Sequence, residues 1–315
     1  MSRAGEFTLA LTAVSLAMLH EVRTLEAHAP RPTIVVSMED VLFTPAPLQD
    51  VAAMGVAPLA PIEIPVSSTQ FEGALTFAPP PRLAWPPPIF VDRFQSLNEA
   101  ERWAISDGWS NGAWTANDWR RQQLHVGDGG LSITLAASTD RDADKPFASG
   151  EISTHQMFRR GYFEARFRMP RGSGLVAGVF TFARPSGPES WNEIDMEILG
   201  RDTRRLELTI YSAGQERKHI VALPFDAAED FHTYAFDWRA DSIRWYVDGQ
   251  LVHEARGADV EAMDQPQRFI VNLWNSEQLG AWVGPIDTGA QSWTLSLACV
   301  AHAETYPGRS ICTPS

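Results

Sequence analysis

Leu131-Ser132-Ile133-Thr134-Leu135 sets apolar against polar side chains at every second position, and Tyr162-Phe163-Glu164-Ala165-Arg166-Phe167-Arg168-Met169 repeats the habit over a longer run. A period of two marks a strand with one face in a core and the other turned outward. Ile243-Arg244-Trp245-Tyr246-Val247 and Leu251-Val252-His253 flank Asp248-Gly249, a pair that accepts positive φ and so predicts a tight hairpin. Such runs recur at short spacing, with Gly and Asp between them, and no internal repeat is visible. Long helical periodicity is nearly absent; one helical turn is expected near Leu97 to Trp103. The pattern predicts an all-β, antiparallel β-sandwich.

The pattern begins only near Ile89. Thirteen of the 22 prolines fall between Pro30 and Pro88, and no tryptophan precedes Trp85. Proline removes amide donors and favours extended chain, so 30–88 reads as a linker with no fold of its own. Ahead of it, Arg3, an apolar stretch from Phe7 to Leu19 and Ala27-His28-Ala29 follow the order of an export leader. A frayed amphipathic helix is the competing reading, because Glu6 offsets Arg3 and Glu21, Arg23 and Glu26 follow. The expected organisation is a leader at 1–29, a linker at 30–88, a β-sandwich at 89–303 and a C-terminal tail at 304–315. The protein is then secreted or periplasmic.

Composition removes several function classes. The net charge of −13 over 315 residues argues against nucleic acid, whose phosphates need a basic surface. No apolar run reaches the ~20 residues that span a bilayer. Two cysteines, Cys299 and Cys312, are too few for a zinc cluster; they either bridge, clamping the tail to the last strand, or stay free. The eight histidines show no metal-ligand spacing, with His232 and His253 on alternating strands, and Gly172-Ser173-Gly174 lacks the Lys-Ser/Thr of a phosphate loop.

The densest chemistry lies in Trp191-Asn192-Glu193-Ile194-Asp195-Met196-Glu197-Ile198-Leu199-Gly200. In a strand, Glu193, Asp195 and Glu197 share one face while Ile194, Met196 and Ile198 share the other. Three carboxylates in a row repel one another, so folding alone does not select them. An acidic solvent face on an edge strand is the plain alternative. The spacing favours chemistry: Cα atoms four residues apart lie ~13 Å apart, and two Glu arms leaning together leave about 5–6 Å between carboxyls, the separation of a retaining glycosidase. Mutual repulsion also raises the pKa of one member and keeps it protonated as an acid.

Glu193-Ile194-Asp195-Met196-Glu197 resembles the signature of the family 16 glycoside hydrolases in its unbulged form. The likeness continues through Asp107-Gly108-Trp109-Ser110-Asn111-Gly112, Gly150-Glu151-Ile152, Gly161-Tyr162-Phe163-Glu164-Ala165, Phe180-Thr181-Phe182, Asn272-Leu273-Trp274-Asn275 and Trp282-Val283-Gly284. It covers about 89–300 and is similar to bacterial lichenases (endo-β-1,3-1,4-glucanases) and succinoglycan depolymerases. The resemblance implies a jelly roll of the concanavalin A-like kind. It implies Glu193 as nucleophile, Glu197 as acid/base and Asp195 as the assisting carboxylate. It places Trp109, Asn111, Phe180, Phe182, Trp191, Tyr211, Asn272, Trp274 and Trp282 along a glycan cleft, where aromatic faces stack on sugar C–H faces and amides meet hydroxyls. For Phe180 and Phe182 packing in the core is an equal alternative; for Trp191, Trp274 and Trp282, flanked by Asn or Gly, the cleft is preferred.

The departures are informative. A cysteine pair typical of lichenases falls at Asn117 and Ser149, an arginine of their cleft at Ser153 and an asparagine at Thr209, which argues against strict mixed-linkage specificity. The family often carries a structural calcium held by an aspartate on the last strand; Ser292-Trp293-Thr294-Leu295-Ser296 has no acid there, so calcium is disfavoured and no cofactor is required. The expected protein is a monomeric retaining endo-β-glucanase acting on a β-glucan. A depolymerase or transglycosylase of a bacterial exopolysaccharide such as succinoglycan is the rival enzyme. A lectin-like glycan-binding module is the rival from another class, and it has no use for three mutually repelling acids.

Overall fold

The computed structural model describes residues 87–313, except 141–142, 185, 188–189, 288 and 290–291. The expected leader at 1–29 and all but the end of the segment at 30–88 lie outside the described residues. In chain order the first strands are β1 (Phe90–Asp92), β2 (Trp103–Ile105), β3 (Asn117–Trp119), β4 (Leu124–Gly127), β5 (Gly130–Ala137), β6 (Phe147–Ser149), β7 (Glu151–Thr154), β8 (Gly161–Arg168) and β9 (Leu175–Ala183). They are followed by β10 (Asn192–Leu199), β11 (Asp202–Ser212), β12 (Gln215–Ala222), β13 (His232–Trp238), β14 (Ile243–Val247), β15 (Gln250–Ala255), β16 (Arg268–Asn275) and β17 (Ser292–Ala303). Two single-turn helices, α1 (Ala258–Glu261) and α2 (Gly280–Val283), interrupt them.

The strands form two sheets. One runs β15-β14-β13-β8-β17-β5-β6-β3, with β1 on β17 and β4 on β5; the other runs β12-β11-β10-β9-β16-β7-β2. Hairpin runs such as β12-β11-β10-β9 and β15-β14-β13 alternate with non-consecutive neighbours such as β13-β8, β8-β17 and β9-β16, as crossings between the two layers of a jelly-roll sandwich require. Pairing is antiparallel throughout except between β3 and β6. The inward residues of both layers meet in one core, where Phe163 of β8 stacks on Phe236 of β13 at 5.0 Å and meets Phe269 of the opposite sheet edge-on at 5.2 Å. Each such buried ring contributes about 1.5–3 kcal/mol.

The Asp248-Gly249 hairpin forms as predicted, with φ of 48° and 76°. Asp248 is chosen for more than the turn, because its Oδ1 accepts the Thr233 amide at 2.8 Å. The helical turn expected near Leu97–Trp103 forms as a single turn: Asn98 O accepts Arg102 N, four residues on as in an α-helix, and also Trp103 N, both at 3.0 Å. Trp103 then enters β2, because its ring belongs to the core and its indole N–H reaches Asp92 Oδ2 at 2.8 Å.

Asn117 and Ser149, at the lichenase cysteine positions, still join the layers. Asn117 Oδ1 accepts the Asn275 amide at 3.1 Å, and Ser149 Oγ donates to Leu273 O at 2.5 Å, both on β16 of the opposite sheet. The C-terminal tail lies on the ten-stranded sheet. Cys299 and Cys312 form a disulfide, Tyr306 stacks on Tyr246 at 4.2 Å, and Tyr306 OH donates to Gly249 O at 2.8 Å. On β17, Ser296 faces Arg168 across the ladder and Thr294 Oγ1 meets Thr134 Oγ1 at 3.2 Å.

Candidate active site

Strand β10 presents the acidic trio because its alternation is strict. Ile194, Met196 and Ile198 are fully buried in the core, so Glu193, Asp195 and Glu197 must face away from it. The adjoining strands set their neighbours. Glu193 lies between Phe182 of β9 and Tyr211 of β11, Asp195 between Phe180 and Thr209, and Glu197 between Gly178 and Glu207. Phe180 and Phe182 are therefore half-buried members of the carboxylate face, not of the core.

The three acids are held differently. Trp191 Nε1 donates to Glu193 Oε2 at 2.5 Å, while the Trp191 ring stacks on Tyr211 at 5.2 Å and meets Phe182 edge-on at 6.5 Å. Burial pushes Glu193 up to about 7, opposed by the Trp191 hydrogen bond and by a hydrogen bond from Asp195. Asp195 is raised well above the carboxylate range by burial and by Glu193 and Glu197 on either side, so it keeps a proton and shares it with Glu193. Burial pushes Glu197 up to about 8; Lys218 opposes this, and Glu193, Glu207 and Glu216 add to it. Of the two glutamates, Glu193 is thus the one that ionises first and Glu197 the one that holds its proton longer. Tyr211 is also raised by burial, with Asp195 adding to it, and stays a neutral O–H donor.

Across β9, Gly178 leaves room on the far side of Glu197. A Cβ there would lie 2.7 Å from Asn272 Oδ1. Asn272, opposite Gly178 on β16, donates through Nδ2 to Glu151 Oε2 at 2.9 Å, and Glu151 Oε1 accepts Ser106 Oγ at 2.6 Å. The Asn272 amide is thereby oriented with a buried Oδ1 that no protein group satisfies. At the Glu197 end, Trp282 Nε1 donates to Glu207 Oε2 at 2.9 Å. Trp274 is only 6% exposed, covered edge-on by Trp114 at 5.1 Å and by Trp282 at 5.8 Å, so it forms a floor more than a free platform.

Trp109 and Asn111 reach this cluster through Trp119. Asn111 Oδ1 accepts Trp119 Nε1 at 3.1 Å, Trp109 lies 6.4 Å from Trp119, and Trp119 packs with Trp274. Trp109 is 39% exposed. The structure thus brings the trio together with Phe180, Phe182, Trp191, Tyr211 and Asn272, and joins Trp274, Trp282, Trp109 and Asn111 as a second, aromatic group. Sequence reasoning missed Glu151, Gly178, Glu207 and Lys218. Their only signal was position within matched segments or at even spacing on a strand, and their partners lie on other strands.

Comparison with known proteins agrees with this geometry. Residues 111–293 match the profile of "Glycosyl hydrolases family 16". The chain is 36% identical over 199 residues to a beta-glucanase of Bacillus subtilis, covering 62% of this chain and 78% of that protein. It is 34% identical over 196 residues to the endo-1,3-1,4-beta-glycanase ExoK of Rhizobium meliloti, covering 62% and 71%. The crystal structure of a prokaryotic beta-1,3-1,4-glucanase (lichenase) from a mouse hindgut metagenome superposes with a TM-score of 0.63 at 31% identity, covering 68% of this chain and 98% of that one. With a jelly-roll sandwich, an outward acidic trio on one strand and this match over more than half of its length, the chain belongs to glycosyl hydrolases family 16 and is a glycoside hydrolase of the endo-β-glucanase type.

Proposed function

We propose that the protein is an exported endo-β-glucanase that hydrolyses internal β-1,3-1,4 (or β-1,4 or β-1,3) glucosidic bonds with retention. The observation that carries this reading is the unequal holding of two glutamates on one strand face. Glu193, stabilised as a carboxylate by Trp191 and Asp195, attacks the anomeric carbon. Glu197, which keeps its proton, gives it to the departing glycosidic oxygen. Glu197 then takes a proton from water, whose oxygen forms the new bond at the anomeric carbon while Glu193 leaves as a carboxylate. The four-residue strand spacing supports retention, since about 5–6 Å between carboxyls leaves no place for an inverting water. The lined face, from Trp191, Tyr211, Phe180 and Phe182 to Asn272, Trp282, Trp274, Asn111 and Trp109, offers rings for sugar faces and amides for hydroxyls.

The second reading, a depolymerase or transglycosylase of an exopolysaccharide, is favoured by Ser153 and Thr209, which stand where lichenases carry an arginine and an asparagine. Export is supported by the buried Cys299–Cys312 bridge, which suits an oxidising compartment. The fold from residue 89 onward is proposed to suffice for catalysis as a monomer, with 30–88 as a linker.

The test is NMR of the first product from a panel of β-glucans and acidic exopolysaccharides. Retention gives the β anomer before mutarotation. An initial α anomer overturns the roles of both glutamates, and cleavage of the acidic polymers alone selects the second reading.

A further inference from the structure

Glu207 sits directly opposite Glu197 in the β10–β11 ladder. Like charges so placed destabilise a sheet, and a neutral amide at 207 would accept the Trp282 indole equally well. The carboxylate is retained with a cation beside it: Lys218 Nζ lies 3.1 Å from Glu207 Oε2 and 4.5 Å from the centroid of Trp282. The ammonium is fixed by an ion pair on one side and an aromatic face on the other. Lys218 belongs to β12, the edge strand, where it pairs with Thr209, itself opposite Asp195. Its backbone position is exposed, so packing does not explain it.

The charged groups facing Glu197 come from several elements. Its own strand gives Glu193 and Asp195, β11 gives Glu207, and β12 gives Glu216 and Lys218. From β9 it faces Gly178, which bears no charge, and α2 contributes the neutral indole of Trp282. Lys218 is the cation of this set. When Glu197 gives its proton to the leaving oxygen, a new carboxylate appears opposite Glu207, and a fixed positive charge offsets it.

We propose that Lys218, anchored by Glu207 and Trp282, is a positioning residue that holds the proton affinity of Glu197 between its acid and its base roles. The proposal rests on the acid/base reading of Glu197. With the cation removed, Glu197 faces only like charges and holds its proton to higher pH. With Glu207 neutralised, the cation acts unopposed and Glu197 loses its proton at lower pH.

The experiment is the pH profile of kcat/KM for the full chain and its Lys218→Met, Lys218→Arg, Glu207→Gln and Lys218→Met/Glu207→Gln variants on a β-glucan. The alkaline limb should move up by about one pH unit in Lys218→Met and down by a similar amount in Glu207→Gln. It should return near its original place in Lys218→Arg and in the double variant. Limbs that stay put, or move the same way in both single variants, overturn the proposal, because loss of mere packing lowers activity without opposite shifts. Glu197→Ala, assayed with an aryl glycoside whose leaving group needs no protonation, separates the two levels. Persistence of the alkaline limb there refutes the acid/base reading itself. Its loss there, with unmoved limbs in the Lys218 and Glu207 variants, refutes only the role of Lys218.

Discussion

Two carboxylate sites on opposite layers of the sandwich are built by the same strand alternation and used in opposite ways. On β8, Glu164 is wholly buried and saturated: it accepts Tyr162 OH at 2.6 Å, Ser310 Oγ at 2.5 Å, and the amides of Ile311 and Cys312 at 2.9 and 2.8 Å. On β10, three acids crowd one another, share a proton and leave buried neighbours such as Thr209 Oγ1 and Asn272 Oδ1 without a protein partner. A saturated acid is cement: it ties the tail to the sheet and has no capacity left for a ligand. An unsaturated set holds free energy that a sugar and a proton transfer can release. The acid alone does not decide between these outcomes; the surrounding donors do.

Mutation should separate the two sites, and the largest effect is expected on the β10 side. Glu193→Ala should lower kcat by roughly 10⁴-fold or more while leaving the fold intact. Azide should restore cleavage and yield the α-glycosyl azide, detected by NMR; full activity without azide would remove Glu193 from the mechanism.

The β8 side should respond in the other currency. Glu164→Ala strips the acceptor from four donors and should lower stability by about 3 kcal/mol, read from denaturant midpoints, with kcat of the folded protein nearly unchanged. Cys299→Ser/Cys312→Ser should cost a similar ~3 kcal/mol for a cross-link of this length. Thiol titration of the unfolded, unreduced parent should find no free thiol.

A smaller contrast is expected in the pH dependence of stability. Glu193 and Glu197 are raised in the folded protein to about 7 and about 8 from an ordinary 4.5. Between those values the folded state binds more protons than the unfolded chain, so stability falls as pH rises. The melting temperature should therefore drop between about pH 5 and pH 8, and Glu197→Gln should flatten that drop. A melting temperature that climbs over this window would contradict the assigned directions. The smallest effect is expected for Trp191→Phe, which removes one donor from the Glu193 carboxylate. The acidic limb of kcat/KM should move up, by less than about one pH unit.

Much of this was legible along the chain. The period-two run from Glu193 to Glu197 places three acids on one face whatever the rest of the fold does, because neighbouring side chains in a strand must alternate. Asp248-Gly249 announced its hairpin through backbone sterics alone. Cys299 and Cys312 could be paired as candidates, but only their meeting in space decided between a bridge and two thiols. Near Asn98 the helical turn that local chemistry predicts does form, and the pull of Trp103 into the core ends it after that one turn. Phe180 and Phe182 had equal claims to core and cleft, because Thr181 between them is as short and buried as a core residue, and register with Asp195 and Glu193 settled the matter.

The sequence by itself determined the β class, the start of the patterned region near Ile89 and the acidic strand, since these follow from local periodicity and composition. Only the tertiary structure decided that Glu197 faces Glu207 and Lys218 on one side and Gly178 with Asn272 on the other, and that Glu164 anchors a tail almost 150 positions away. Those relations join strands distant in sequence. Electrostatics and hydrogen bonding act over a few ångströms of space, and a linear pattern carries no record of which strands the fold brings that close.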